Sequence, residues 1–134
     1  MIQGLGCDIV QISRFAKDER FLQKFMHKYF TLNEINEIEQ KRKNENVDEL
    51  KTAVATRFAA KEATAKALGT GFRNGITLKD IEILHDSLGK PEITLYNKAL
   101  TFVYQLSQGG KINLHLTLSN EREYANAVVV LEIL

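Results

Sequence analysis

Glu62 and Lys66 stand four residues apart in the run Arg57-Phe58-Ala59-Ala60-Lys61-Glu62-Ala63-Thr64-Ala65-Lys66-Ala67-Leu68-Gly69. That spacing puts a carboxylate and an ammonium on one face of a helix. Alanines at 59, 60, 63, 65 and 67 surround the pair with small side chains, so a ligand or another backbone can approach closely. A carboxylate beside an ammonium suits a magnesium ion together with a phosphate. The plainer alternative is a surface salt bridge worth ~0.2–0.5 kcal/mol. A second carboxylate stands far away in sequence: Asp8 interrupts the apolar run Leu5-Gly6-Cys7-Asp8-Ile9-Val10. Asp is poorly suited to a strand and is seldom buried alone, so it needs a cation, a hydrogen-bond donor or solvent there. Capping of the following turn would also explain it.

The elements that must position these groups follow from periodicity and turn chemistry. Residues 2–10 read as a strand and 11–14 as a turn. Residues 18–29 read as a helix, with Phe21, Leu22, Phe25 and Met26 at helical spacing, either a core stripe or a groove for a partner helix. Thr31 and Glu34 form a capping box that opens a helix over residues 32–42, followed by a polar loop at 43–47. Asp48 is expected to cap the long helix carrying Glu62 and Lys66, and Gly69 to end it. The glycine-rich stretch 69–75 is a helix stop with a tight turn, or a loop whose backbone approaches a ligand. Strands at 81–85 and 92–96 flank a turn, a short helix spans 99–106, and a hairpin pairs 112–119 with 124–133. The last strand is apolar on both faces, with Ala125, Ala127, Val129 and Leu131 on one and Val128 and Val130 on the other. Such a strand is covered twice, by a helix and by another element or subunit. This order predicts an α+β fold, an antiparallel sheet packed on a long central helix.

At 134 residues the chain is expected to form one domain, residues 1–134. Eighteen basic against seventeen acidic side chains leave a net charge of +1, which argues against a general nucleic-acid binder. The basic cluster Lys41-Arg42-Lys43 is either a solvated helix end or a docking point for phosphates. Cys7 is the only cysteine; it excludes an internal disulfide, fits a reducing cytoplasm and reads as a small core filler. No stretch approaches the ~20 apolar residues of a membrane span. No basic leader precedes the first apolar run, so no signal peptide and no membrane association are expected. Three histidines without metal spacing argue against zinc.

Two signatures carry a family resemblance. Gly-x-Asp-Ile-x-x-Ile-x-Arg at 6–14 and Phe-x-x-Lys-Glu-Ala-x-x-Lys-Ala-x-Gly-Thr-Gly at 58–71 resemble those of the holo-acyl-carrier-protein synthases. These are the small, single-domain members of the 4′-phosphopantetheinyl transferases. Arg73-Asn74-Gly75, Asp80-Ile81-Glu82, Leu88-Gly89-Lys90-Pro91 and Tyr124-Ala125-x-Ala127-x-Val129-Val130 extend the likeness over nearly the whole chain. One motif departs: Thr117-Leu118-Ser119-Asn120 stands where many relatives carry Ser-x-Ser-His or Ser-x-Thr-His, so an amide replaces an imidazole.

The resemblance implies transfer of 4′-phosphopantetheine from coenzyme A to a serine of apo-acyl carrier protein, in support of fatty acid biosynthesis in the cytoplasm. It implies Mg2+ held by Asp8 and Glu62, with Glu62 and Lys66 in catalytic roles. Glu62 and a metal-held water remain alternative acceptors of the serine proton. Implied coenzyme contacts are Arg42, Arg57, Lys66, Gly69, Gly71, Lys90, Pro91 and Thr117. Arg14, Phe21 and Phe25 are the implied docking residues for the carrier, and a homotrimer with active sites between subunits is the implied assembly. Two competing readings keep the element order. One is an acyl-thioester hydrolase or dehydratase of the hot-dog kind, and the other is a non-catalytic adaptor that binds carrier protein.

Overall fold

The computed structural model describes residues 1–43 and 45–134; Asn44, inside the loop expected over 43–47, lies outside the described residues. The chain runs β1 (Ile2–Gln11), a 3-10 turn (Ile12–Phe15), α1 (Glu19–Tyr29), α2 (Leu32–Lys41), α3 (Val47–Leu68), β2 (Ile81–His85), β3 (Pro91–Leu95), α4 (Asn97–Leu106), β4 (Ile112–Asn120) and β5 (Tyr124–Ile133). Strands β1, β5 and β4 form one antiparallel sheet in that order, and β2 pairs with β3 in a separate hairpin. The architecture is the expected α+β arrangement, with α3 lying across the inner face of β1 and β5.

Small residues bring α3 and β1 together. A Cβ on Gly6 would overlap the carbonyl oxygen of Ala63 and crowd the amide nitrogen of Ala67, and one on Gly4 would overlap the carbonyl oxygen of Ala67. The alanine-rich face therefore meets a strand backbone, one of the two occupants its composition admits. At its far end α3 stops at Gly69, whose φ of 84° lies in the left-handed region that glycine tolerates. The amide of Gly69 donates to Lys66 O at 2.9 Å, and that of Gly71 to Ala65 O at 3.1 Å. At its start the expectation needs correction: Asn46, not Asp48, is the cap. The Asn46 side chain accepts from the Asp48 amide at 2.8 Å. Asp48 falls in the first helical turn, where it bonds Lys51 at 2.7 Å and a negative charge complements the helix dipole. Both residue types cap well, and the extended backbone at Asn46 decides between them.

A buried ion pair ties α2 to α3. Lys61 and Glu34 are both fully buried. The Lys61 ammonium donates to Glu34 Oε1 at 2.7 Å and to the carbonyls of Leu78 at 2.8 Å and Ile81 at 2.5 Å. Glu34 also accepts from the amides of Thr31 at 2.9 Å and Ile83 at 3.0 Å, so the capping-box carboxylate doubles as a counterion. Burial pushes the Lys61 ammonium below its ordinary pKa, while Glu34 pulls the other way. Losing either partner alone would strand a buried charge, at a cost of ~3–5 kcal/mol.

The large sheet has two unlike faces. Ala125, Ala127, Val129 and Leu131 of β5 are completely buried against α3. On the outer face Leu5 and Ile9 are exposed, and Val128 and Val130 are half-buried. Cys7 lies there too, opposite Val128 and exposed, which overturns its reading as a core filler. Strand alternation is the reason: Gly6 and Asp8 turn inward, so the residue between them must turn out. Among the described residues, no helix is long and apolar enough to cross a membrane.

Candidate active site

Asp8 points from β1 toward α3, on the face shared with Gly6 and Val10, because residues two apart on a strand lie on one side. There it meets Lys66, whose ammonium donates to Asp8 Oδ1 at 3.0 Å and to the Cys7 carbonyl at 3.0 Å. The Lys66 side chain is half exposed, so it keeps donor capacity on its solvent side. Its hydrogen bond to Asp8 raises its pKa and keeps it cationic. Glu62 stands one turn earlier on α3. Burial, and then the negative charge of Asp8, push its carboxyl above the usual range, against the pull of Lys66 and Arg14. The two carboxylates thus repel each other beside a single ammonium. A divalent cation relieves that repulsion. Among the described residues no group of three or more His, Cys, Asp or Glu side chains could hold a metal. Two carboxylates without a full cage fit magnesium, which takes one or two such ligands and fills its other positions with water and substrate phosphates.

The surroundings of this pair join it to the α1 surface. Arg14, on the 3-10 turn, lies 5.7 Å from the ring centroid of Phe58, one turn before Glu62. Phe25 packs among Phe15 at 5.3 Å, Tyr29 at 4.8 Å and Phe58 at 6.2 Å, so its ring is largely structural. Phe21 is 45% exposed and presents its ring to solvent.

Comparison with known proteins decides what this constellation belongs to. A family model described as the 4′-phosphopantetheinyl transferase superfamily matches residues 4–129. The chain is 42% identical over 132 residues to a holo-[acyl-carrier-protein] synthase of Hamiltonella defensa, covering 98% of both chains. It is similar to the crystal structure of the Neisseria meningitidis holo-[acyl-carrier-protein] synthase, with a TM-score of 0.79, 39% identity and coverage of 98% and 99%. It is also similar to the Bacillus anthracis holo-(acyl-carrier-protein) synthase solved in complex with CoA (3′,5′-ADP), with a TM-score of 0.75, 36% identity and coverage of 98% and 97%. The chain belongs to the holo-[acyl-carrier-protein] synthases of the 4′-phosphopantetheinyl transferase superfamily.

Not every residue expected in the synthase site gathers around Asp8. Arg42 and Arg57 line a separate cleft of about 580 Å3 between α2, the start of α3 and the end of β2. Arg42 is gripped there by both carboxylate oxygens of Glu19, at 2.6 and 2.7 Å, and Arg57 by Glu37 at 2.9 Å. Gly69 and Gly71 follow Lys66 at the end of α3, and a side chain at either would meet open space. Lys90 is exposed on the β2–β3 turn, its amide bonded to Asp86 at 2.9 Å, and Pro91 opens β3. Thr117 pairs with Val128 and lies on the outer face, opposite to Asp8. Within one copy of the synthase Thr117 and Asp8 therefore face opposite sides of the sheet.

Sequence reasoning placed His85 at the end of a strand, where it lies, but missed its pairing with Glu37. Glu37 accepts from the His85 amide at 2.8 Å and meets the ring Nδ1 at 3.0 Å, besides holding Arg57. A signal was available. Glu34 and Glu37 are three apart on α2 while Arg57 and Lys61 are four apart on α3, so stripes of opposite charge face each other.

Proposed function

We propose that this synthase moves the 4′-phosphopantetheine arm of coenzyme A onto a serine hydroxyl of apo-acyl carrier protein, releasing adenosine 3′,5′-bisphosphate. We read it as a magnesium-dependent cytoplasmic homotrimer that supports fatty acid biosynthesis, with residues 1–134 acting as one domain. The observation that carries the reading is Asp8 bonded to Lys66 at 3.0 Å beside a Glu62 whose carboxyl is raised by burial and by Asp8. The names of the relatives support coenzyme and carrier as substrates, and the CoA complex of the Bacillus anthracis protein supports the donor.

In this reading Asp8 and Glu62 hold the metal, which when bound neutralises charge on the diphosphate and its leaving group. Lys66 donates to the same phosphate oxygens from its exposed side. The serine oxygen attacks the phosphorus of the pantetheine-side phosphate. The bond from that phosphorus to the bridging oxygen breaks, and the electron pair leaves with the nucleotide. Asp8 is engaged by Lys66, which leaves Glu62 or a metal-held water as the acceptor of the serine proton. Positioning supplies most of the remainder, as is usual in phosphoryl transfer.

Arg14 and Phe21 are our choice for the carrier surface, with Phe25 stacked behind Phe21 at 6.5 Å as its support, since a basic residue next to an exposed ring fits a small acidic partner. The homotrimer draws support from the outer sheet face. Leu5, Ile9, Val128 and Val130 make it apolar, and Thr117 lies there, away from Asp8. Active sites between subunits would let Thr117, Lys90 and Pro91 of one copy approach the Asp8 site of another.

Intact mass measurement tests the reading. Apo-carrier incubated with this protein, coenzyme A and magnesium should gain one phosphopantetheine. A carrier that binds yet keeps its mass would favour the adaptor reading.

A further inference from the structure

Lys61 is a charged group that the proposed reaction does not use and that solvent does not reach. An ammonium has three N–H donors, and here all three are spent: on Glu34 Oε1 and on the carbonyls of Leu78 and Ile81. The Phe30 ring closes the site from another side, 4.9 Å from the ammonium. Glu34 answers the charge of Lys61. The two carbonyls answer a different need, because they belong to the 3-10 turn Leu78–Asp80 and to the first residue of β2. That is where the chain returns from the glycine-rich stretch 69–75.

These contacts close a ring. From Lys61 the chain follows α3 through Lys66 to Gly69, crosses the glycine-rich stretch, and comes back to the Lys61 ammonium at Leu78. Gly69, Gly71, Asn74 and Gly75 all have positive φ, and a side chain at Gly69 or Gly71 would meet open space, so the stretch takes its shape from its two ends. Its near end is bonded to the last turn of α3, Gly69 to Lys66 O at 2.9 Å and Gly71 to Ala65 O at 3.1 Å. Its far end is held by the buried Ile76, by the Thr77 amide on Asp80 Oδ2 at 2.9 Å, and by Lys61. Asn97 in turn holds the other oxygen of Asp80 at 3.0 Å. The last carbonyls of a helix need partners from beyond it. Here that last turn carries Lys66, so whatever fixes the far end of the stretch also steadies the ammonium that meets Asp8.

We infer that Lys61 is a positioning residue for the transfer: by gripping Leu78 and Ile81 it sets where the glycine-rich stretch returns, and so keeps the last turn of α3 presenting Lys66 to Asp8. The inference rests on the transferase reading, in which Lys66 donates to the phosphate oxygens. Lysine suits the task, because a compact ammonium on a flexible stem reaches three acceptors in different directions from one point, which a planar guanidinium does not. An apolar side chain of the same length would fill the space and lose both carbonyl bonds.

The test compares the full chain as wild type, Lys61→Met/Glu34→Gln and Asn97→Gly. Initial rates of carrier modification are read by mass, with magnesium and coenzyme A, and amide hydrogen exchange is read without substrates. The double variant removes both buried charges together, so neither is stranded. Asn97→Gly leaves the core untouched: glycine accepts the φ of 51° there, and only the bond to Asp80 is lost. Per folded molecule, the double variant should lose about tenfold or more in kcat, the scale of a small misplacement, with both Michaelis constants within about twofold of wild type. Asn97→Gly should lose kcat by about threefold in the same pattern. In both variants the amides of Gly69 and Gly71 should gain exchange by a larger factor than those around Ala59, which report unfolding of the whole. A purely structural role would raise exchange equally at both places and leave kcat per folded molecule unchanged, and either result would overturn the inference. If the double variant does not fold, an unchanged kcat in Asn97→Gly overturns it. Wild type that leaves the carrier unmodified sinks only the transferase reading, since the exchange pattern judges the anchor by itself.

Discussion

Replacing Glu37 by glutamine should weaken the fold by an amount set by its surroundings. Desolvation opposes ionisation of this carboxyl, yet hydrogen bonds from the His85 ring and amide and from Arg57 prevail and bring its pKa to about 2 from an ordinary 4.5. In unfolded chain the group therefore binds its proton at higher pH than in folded protein. The resulting stabilisation is fully present above about pH 4.5 and disappears as pH falls toward 2. That gap corresponds to about 3 kcal/mol at neutral pH. Solvent screening removes little of it, because the side chain is only 14% exposed. Urea unfolding of wild type and Glu37→Gln at matched protein concentration checks the argument. The variant should be less stable by about 3 kcal/mol at neutral pH, and the gap should close as both are taken from pH 4.5 toward 2. A gap that stays constant with pH, or one below ~0.5 kcal/mol at neutral pH, would refute the assignment of this energy to the carboxylate.

Asp8→Asn should fold normally, being nearly isosteric, while carrier modification falls by at least about a hundredfold, the scale on which removing one charge-stabilising group slows an active site; near-normal rates at limiting magnesium would contradict the metal role. Val128→Lys should yield monomers that are inactive with Asp8, Glu62 and Lys66 intact, as light scattering and the mass assay would reveal. Arg14→Glu should raise the Michaelis constant for the carrier and leave that for coenzyme A unchanged. Its effect should fade with salt, since exposed charges are screened over ~8 Å at physiological ionic strength. Equal losses for both substrates would move Arg14 to a structural role.

Much of the arrangement was legible because the chemistry is local. Helix α2 announces itself by Thr31 and Glu34, and the capping box forms as expected. The meeting of Asp8 with Lys66 was legible for a different reason: two lone charges in apolar surroundings each need a partner. Cys7 and Asp48 were misread because neighbours one or two residues away decided their roles. The sequence pattern around Cys7 fits either face of the strand until Gly6 is seen pressed on Ala63. Arg42 and Arg57 show what pattern alone leaves out. Both are implied coenzyme contacts, yet the carboxylates that hold them, Glu19 and Glu37, lie 23 and 20 residues away. Pairings over that distance depend on the packing of α1, α2 and α3, which no local periodicity encodes.

The contact of Gly4 and Gly6 with α3 also fixes how the site behaves in time. Side chains hop between rotamers, but here strand and helix touch through backbone atoms, which have no rotamers to exchange. The separation of Asp8 from Glu62 and Lys66 is thereby shielded from the rattling of the core around it. Opening that gap requires lifting a paired strand off a 22-residue helix, and β1 is bonded along its length to β5. The β1 amides near Asp8 that are bonded to β5, and those of α3 near Ala63, should then exchange their hydrogens only through global unfolding. Partial fraying would leave them untouched, so the spacing at Asp8 should persist until the whole fold gives way.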